Sequence, residues 1–192
     1  MRIISGTARG RRLATFAGQD IRPTPDRVRE AVFSILFSRI GALAGMQILD
    51  LFAGTGAMAL EALSRGADQA LLIDNAPRAA ALIRTNIDGC RFQERAAFRQ
   101  ADVARELPRL QGRTFDLIFL DPPYGRDLVP TTLAAVARLG LLAPDGIACA
   151  EAADGDAVPE RIDGLERIDQ RRYGSISVHL FSHSTPAQEP EP

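Results

Sequence analysis

Residues 48–67 read ILDLFAGTGAMALEALSRGA. The stretch opens as a short apolar run with one acid, Ile48-Leu49-Asp50-Leu51-Phe52, and then breaks into the small residues Ala53-Gly54-Thr55-Gly56-Ala57. From Met58 to Leu63 it resumes with helical composition. A strand, a glycine turn and a helix in that order form the opening unit of a nucleotide-binding α/β fold. Glycines at the turn accept positive φ and let the backbone approach a ligand with no Cβ in between. The unpaired N–H groups of the helix start then face that ligand.

Outward from this unit, strands and helices alternate. Gln47–Phe52 reads as the first strand and Ala57–Arg65 as a helix stopped by Gly66. Gln69–Ile73 is a second strand ending at Asp74, and Pro77–Asp88 a helix stopped by Gly89. Ala96–Gln100 is a weaker third strand followed by Asp102, and Phe115–Leu120 an apolar fourth strand ending at Asp121. Leu128–Leu139 is a helix closed by Gly140, and Gly146–Glu151 a fifth strand. Arg161–Arg171 and Ser175–Ser182 form a last pair around Tyr173-Gly174, with no helix between them. The pattern predicts one α/β domain with a mainly parallel sheet covered on both faces and an antiparallel hairpin at one edge.

The acids Asp50, Asp74, Asp102 and Asp121 fall at or near the ends of successive strands. In a parallel sheet those ends share one rim, where ligands bind. Asp74 lies 18 positions after Gly56, where a carboxylate accepts hydrogen bonds from a ribose diol. That feature fits NAD and S-adenosylmethionine alike. The third glycine of a dinucleotide turn is replaced by Ala59, an allowed variant.

Asp121-Pro122-Pro123-Tyr124 is more specific. Two prolines make a stiff turn without N–H donors. The remaining edge, the Asp121 carboxylate and the Pro122 carbonyl, is rich in acceptors and suits a planar amine with two N–H groups. Accepting both hydrogens orients the nitrogen and favours localisation of its lone pair toward an electrophile. Tyr124 can stack on the ring that carries the amine.

The chain has 192 residues, 46% hydrophobic, with a net charge of −1. No apolar run approaches the roughly 20 residues of a membrane span, and the N-terminus lacks a signal peptide's apolar core. Cys90 and Cys149 show no metal-ligand spacing and read as two reduced thiols of a cytosolic protein. The charge is unevenly placed: residues 1–39 carry eight arginines against three acids, a net +5, and the rest of the chain −6. The sequence contains no lysine, so the clustering of arginines carries weight and the choice of arginine does not. Met1 to Leu13 is a hairpin or extended arm bearing Arg2, Arg9, Arg11 and Arg12; phosphate contact and a solvated edge ribbon remain equal readings of it. In the segment after it, Thr24 and Pro25 suit a helix start, and Val28, Ala31, Val32, Ile35 and Leu36 form an apolar face. The opposite face is expected to offer Arg27 and Arg29.

The segments RIISGTARGRRL, RPTPDRVREAVFSIL, ILDLFAGTGAMALEALSRGA and FDLIFLDPPYG, in this order over residues 1–182, resemble the bacterial 16S rRNA (guanine(966)-N2)-methyltransferase family. The resemblance implies a class I, Rossmann-like methyltransferase with a seven-stranded sheet whose last strand is inserted antiparallel. It implies S-adenosyl-L-methionine as cofactor. Asp50 and the turn Gly54, Thr55 and Gly56 would hold its methionine part, Asp74 the ribose, and Asp102 the adenine amine with Val103 beside it; Phe52, Ala53, Asn75 and Asp121 would also contact the cofactor. Asp121, Pro122, Pro123 and Tyr124 would hold the target guanine beside the cofactor. Arg2, Arg9, Arg11, Arg12, Arg22, Arg27 and Arg29 would grip RNA phosphates. The acid after the second strand is Asp74 where the family more often has Glu, and Ala59 replaces a common Gly.

The expected organisation is a basic arm and helix over residues 1–40, a methyltransferase domain over 41–183 and a disordered tail over 184–192. The protein is expected to be a cytoplasmic monomer that meets 16S rRNA within an assembling small subunit. Two further readings stay open. A DNA or other RNA amino-methyltransferase, acting on adenine N6 or cytosine N4, shares the Asp121–Tyr124 motif but commonly carries a larger target-recognition region. An NAD-dependent oxidoreductase would explain Gly54, Gly56 and Asp74 and leave Asp121–Tyr124 without a purpose. His179 and His183 receive no role.

Overall fold

The structure, a computed structural model, describes residues 1–16, 26–125 and 127–184. Its element order is α1 (Asp26–Ile40), β1 (Gln47–Leu51), α2 (Ala57–Ser64), β2 (Gln69–Asp74), α3 (Pro77–Cys90), β3 (Ala96–Gln100), α4 (Val103–Glu106), a 3-10 turn (Leu107–Leu110), β4 (Phe115–Leu120), α5 (Leu128–Arg138), β5 (Leu142–Ala153), β6 (Arg161–Ile162), β7 (Leu165–Tyr173) and β8 (Ile176–His183). The strands form one sheet in the order β3-β2-β1-β4-β5-β8-β7-β6. β1 to β5 pair parallel, and β8 is inserted antiparallel between β5 and β7.

The sheet has eight strands where the resemblance implied seven. The difference is β6, cut from the expected Arg161–Arg171 strand by Asp163 and Gly164 at φ 45° and 86°. Positive φ at two successive residues is the tight hairpin turn that an Asp-Gly pair favours. Two further boundaries moved. α3 runs through Gly89 to Cys90, and Arg91 at φ 62° ends it. β5 starts at Leu142, ahead of the expected Gly146.

Each face of the sheet buries a core. On one side Ile48, Leu72, Leu117 and Phe119 meet α1, α2 and α3; on the other Leu49, Leu71, Ile118 and Ala150 meet α4 and α5. Strands buried on both faces read as continuous apolar runs, as β1, β2 and β4 do. Cys90 and Cys149 are both free and buried. Among the described residues no helix is long and apolar enough to cross a membrane.

The N-terminal residues fold back as a hairpin, with Arg2 bridged to Arg12 and the Ile3 N–H donating to the Arg11 carbonyl at 2.9 Å. The hairpin lies on α2. Ile4 and Ser5 donate their N–H groups to the Glu61 carboxylate at 2.7 and 3.0 Å, and Ala8 donates to Ser64 Oγ at 2.9 Å. A Cβ on Gly6 would lie 1.7 Å from the Ser64 carbonyl oxygen, so only glycine permits this approach.

α1 corrects one expectation. Its buried face is Val28, Arg29, Val32, Phe33 and Leu36, rotated by about one residue from the expected stripe, with Phe33 replacing Ile35. Arg29 therefore points inward and is fully buried. It donates to the Arg2 carbonyl, pairs with Asp26 at 3.0 Å and lies 3.7 Å from Glu61. It braces the hairpin against α1 and α2 and cannot reach an RNA phosphate. Arg27 is exposed, as expected. Arg22, Thr24, Pro25 and the tail beyond Ser184 lie outside the described residues.

Candidate active site

The glycine turn sits where β1 meets α2. Gly56 caps α2 at φ 76°, and a Cβ there would come within 2.8 Å of Leu72 Cδ2. Phe52 also takes positive φ, 61°, an unusual conformation for an aromatic residue and a mark of local constraint. Three of the four rim acids hold this end of the sheet together. Asp50 Oδ2 accepts the Ala59 N–H at 3.1 Å and so ties β1 to the first turn of α2. Asp74 accepts from Gly54 N–H at 2.8 Å with Oδ2 and from Ala76 N–H at 2.8 Å with Oδ1. Asp102 caps α4 by accepting from Arg105 N–H at 3.1 Å. The four-residue α4 escaped the sequence reading because it is shorter than a detectable helical period; its cap, Asp102, was the visible signal.

Phe52, Asn75, Asp102, Val103 and Pro123, all expected site residues, line one cavity of about 580 Å³, together with Leu128 of α5. Ligand sites commonly fall between roughly 300 and 1,000 Å³. Val103, Pro123 and Leu128 give it apolar walls for a flat ring, and the Asp102 carboxylate gives it an acceptor for an amine. Asp50, Ala53, Gly54, Thr55, Gly56 and Asp74 belong to the turn and strand ends next to this cavity and do not line it.

β4 lies beside β1, with Leu51 opposite Leu120 and the Asp121 N–H donating to the Leu51 carbonyl at 3.4 Å. Asp121 thus stands next to the glycine turn across the sheet. Pro122 is buried, and Pro123 and Tyr124 are exposed. Tyr124 keeps 45% of its surface open, while its hydroxyl donates to Glu151 Oε1 at 2.7 Å. Glu151, near the end of β5, was read only as the last residue of the fifth strand and given no role; its bond to Tyr124, 27 residues away, is not a local pattern.

The rim gathers acids in a dry setting. Burial pushes the Asp50 carboxyl up to about 8, against the bond from Ala59, with Asp74 adding to the rise. Burial raises the Tyr124 hydroxyl too, followed by Glu151 and then Asp121. The Cys149 thiol is raised by burial and then by Glu151, Asp121 and Asp50.

The basic residues divide. Arg2, Arg9, Arg12 and Arg27 are exposed, and Arg11 is half-buried with its guanidinium donating to the Gly89 carbonyl. The hairpin's exit reaches the glycine turn through Asn86 of α3. Its side chain accepts from Ala14 N–H at 2.7 Å and donates to the carbonyls of Ala14 at 3.0 Å and Thr55 at 2.9 Å. Asn86 is 2% exposed and carried no signal in the sequence.

Comparisons with known proteins point to one family. The chain is 32% identical over 181 residues to the ribosomal RNA small subunit methyltransferase D of Escherichia coli K12, covering 94% of this chain and 89% of that one. A hypothetical protein of Thermus thermophilus superposes with a TM-score of 0.81 at 30% identity, over 95% of this chain and 99% of that one. A larger chain solved in complex with SAH shares the fold at a TM-score of 0.63 and 20% identity, over 81% of this chain and 48% of that one. S-adenosylmethionine is the cofactor that these relationships support. The family described as conserved hypothetical protein 95 matches residues 1–182, and the chain belongs to it, with the fold of a class I S-adenosylmethionine-dependent methyltransferase.

Proposed function

We propose that this protein methylates the exocyclic N2 amine of one guanine in 16S rRNA, by the family resemblance of its motifs guanine-966, within an assembling small ribosomal subunit in the cytoplasm, acting as a monomer. The observation that carries the reading is the placement of Asp121–Tyr124 beside the glycine turn, joined to it through the Asp121 to Leu51 backbone contact.

Bound S-adenosylmethionine supplies a methyl group already activated by its sulfonium charge. The turn at Gly54–Gly56 with Asp50 takes the methionine end, Asp74 and Asn75 the ribose, and Asp102 and Val103 the adenine. Asp121 and the Pro122 carbonyl accept the two amine hydrogens and aim the nitrogen at the methyl. Asp121 also receives the proton that the nitrogen sheds after transfer. Because the sulfonium needs no acid catalysis, the residues act mainly by positioning, which can supply up to roughly 7–11 kcal/mol for ideal alignment. Tyr124 stacks on the guanine, which must leave its own stack to arrive. The exposed Arg2, Arg9, Arg12 and Arg27 meet the surrounding phosphates, with Arg11 held closer to α3.

The test is Asp121→Ala, assayed for methyl transfer to 16S rRNA and to small-subunit particles. Transfer is expected to fall at least about a hundredfold, with cofactor affinity unchanged within about threefold. Equal loss of both contradicts the role given to Asp121. Mapping 16S rRNA from cells lacking the protein should reveal one missing N2-methylguanine; a missing methyl-adenine or methyl-cytosine selects the other amino-methyltransferase reading.

A further inference from the structure

Glu151 is a carboxylate in a place that calls for a reason. It is only 9% exposed, on a strand otherwise buried in the core around it. Register fixes its position: Ala150 pairs with Leu120, so the next residues, Glu151 and Asp121, emerge side by side at the rim. Taking a carboxylate this far out of water costs free energy unless hydrogen bonds offset it. One such bond is visible, the 2.7 Å donation from the Tyr124 hydroxyl.

The ring on the other end of that bond is the one expected to meet the base. Tyr124 follows a proline pair that stiffens its backbone, yet its side chain stands 45% exposed on a loop. An aromatic side chain in that setting has more than one open rotamer. A hydrogen bond to a carboxylate anchored in a central strand selects one of them and costs no further ordering when substrate arrives. The hydroxyl's raised pKa keeps it a donor throughout the working range.

We infer that Glu151 is a positioning residue for methyl transfer: by holding the Tyr124 hydroxyl it presets the ring against which the target base stacks. This rests on the reading of Asp121–Tyr124 as the base-holding edge. Glu151 acts through Tyr124 and touches neither the reacting amine nor the methyl group. It is to the base what Asp74 is to the cofactor turn, a carboxylate that fixes a binding surface before the ligand arrives.

The test uses the full chain and the variants Tyr124→Phe, Glu151→Ala, Glu151→Gln and the double variant Tyr124→Phe/Glu151→Ala. Tyr124→Phe and Glu151→Ala are each expected to slow single-turnover transfer to small-subunit RNA by roughly tenfold, the loss of one charge-assisted hydrogen bond. Cofactor affinity should stay unchanged. The double variant should be no slower than either single, because both remove the same bond. Glu151→Gln, whose amide oxygen still accepts, should recover to within about threefold of the parent. A second readout needs no activity. The chain has two tyrosines, so ring-labelled protein gives two sets of ring signals, and Tyr124→Phe assigns them. In Glu151→Ala the Tyr124 signals should move to those of a freely rotating ring while those of Tyr173 stay fixed. The inference is overturned if the ring signals are unmoved, if Glu151→Ala transfers at the parent rate, or if Tyr124→Phe is neutral while both Glu151 variants are slow. If instead the parent transfers no methyl to RNA and the ring still loosens, the base-pocket reading fails and the Tyr124–Glu151 lock stands.

Discussion

The two ends of the rim are built differently. Above β1, β2 and β3, the acids accept from backbone N–H groups of the turns and helix starts: Asp50 from Ala59, Asp74 from Ala76 and Gly54, Asp102 from Arg105. Above β4 and β5, the aromatic residue of the edge is set by a side chain meeting a side chain across the sheet, Tyr124 with Glu151. The first arrangement makes a rigid mould for a ligand that is the same in every turnover. The second leaves an open ring on a stiff turn, suited to a base that must swing in from a large polymer and leave again.

This contrast can be broken from either end. The largest effect is expected from Asp74→Ala, which loses the bonds to Gly54 and Ala76 together with the ribose acceptor. Cofactor affinity should drop by about a hundredfold or more, read by calorimetry, with little change in RNA affinity. A drop shared equally by both ligands would mean that the ends are not separate. Asp50 gives a smaller, pH-dependent effect. Its folded pKa of about 8 exceeds the ordinary carboxyl value of 3.8, so the folded state holds a proton that the unfolded chain releases across that window. The contribution of Asp50 to stability is therefore full below the lower value and is lost as pH rises through about 8, with a slope of at most ~1.4 kcal/mol per pH unit. Asp50→Asn, which mimics the protonated acid, should flatten the stability profile between pH 5 and 8 in denaturant titrations at fixed salt; an unchanged profile means that Asp50 is ionised in the fold. The smallest effect belongs to Arg27→Ala. Removing one exposed phosphate contact should weaken RNA binding a few-fold at every sequence and lower the salt slope by about one, with thermal stability unchanged. A fall in Tm would place Arg27 with Arg29 in the support of the hairpin.

The same division explains what the sequence made legible. The alternation of elements, the glycine turn and the four acids are local patterns, and the structure places them as read. Asp102 follows β3 as read, while the short helix that it caps was not anticipated. The roles of Glu61, Asn86 and Glu151 were not legible because the bonds that define them reach the hairpin and Tyr124 across 27 to 72 residues of chain. Arg29 is instructive in another way. It shares the helical spacing of Phe33 and Leu36, four and seven positions on, so its inward direction was available from periodicity. Its charge argued for the surface, and Asp26, the Arg2 carbonyl and the buried Glu61 together explain how the interior tolerates it. The Asp163-Gly164 turn was similarly available as a hairpin signal within a stretch read as one strand.

The hairpin's dependence on Glu61, Ser64 and Asn86 also bears on the order in which the molecule assembles. Its anchoring bonds span 56 to 72 residues, and closing a loop of that length costs about 3–4 kcal/mol of chain entropy before any bond is gained. The docking surface does not exist until α2 and α3 are seated on the sheet. The first residues of the chain are therefore expected to find their place late, and the arginines expected to meet RNA are set only once the rest of the domain has formed.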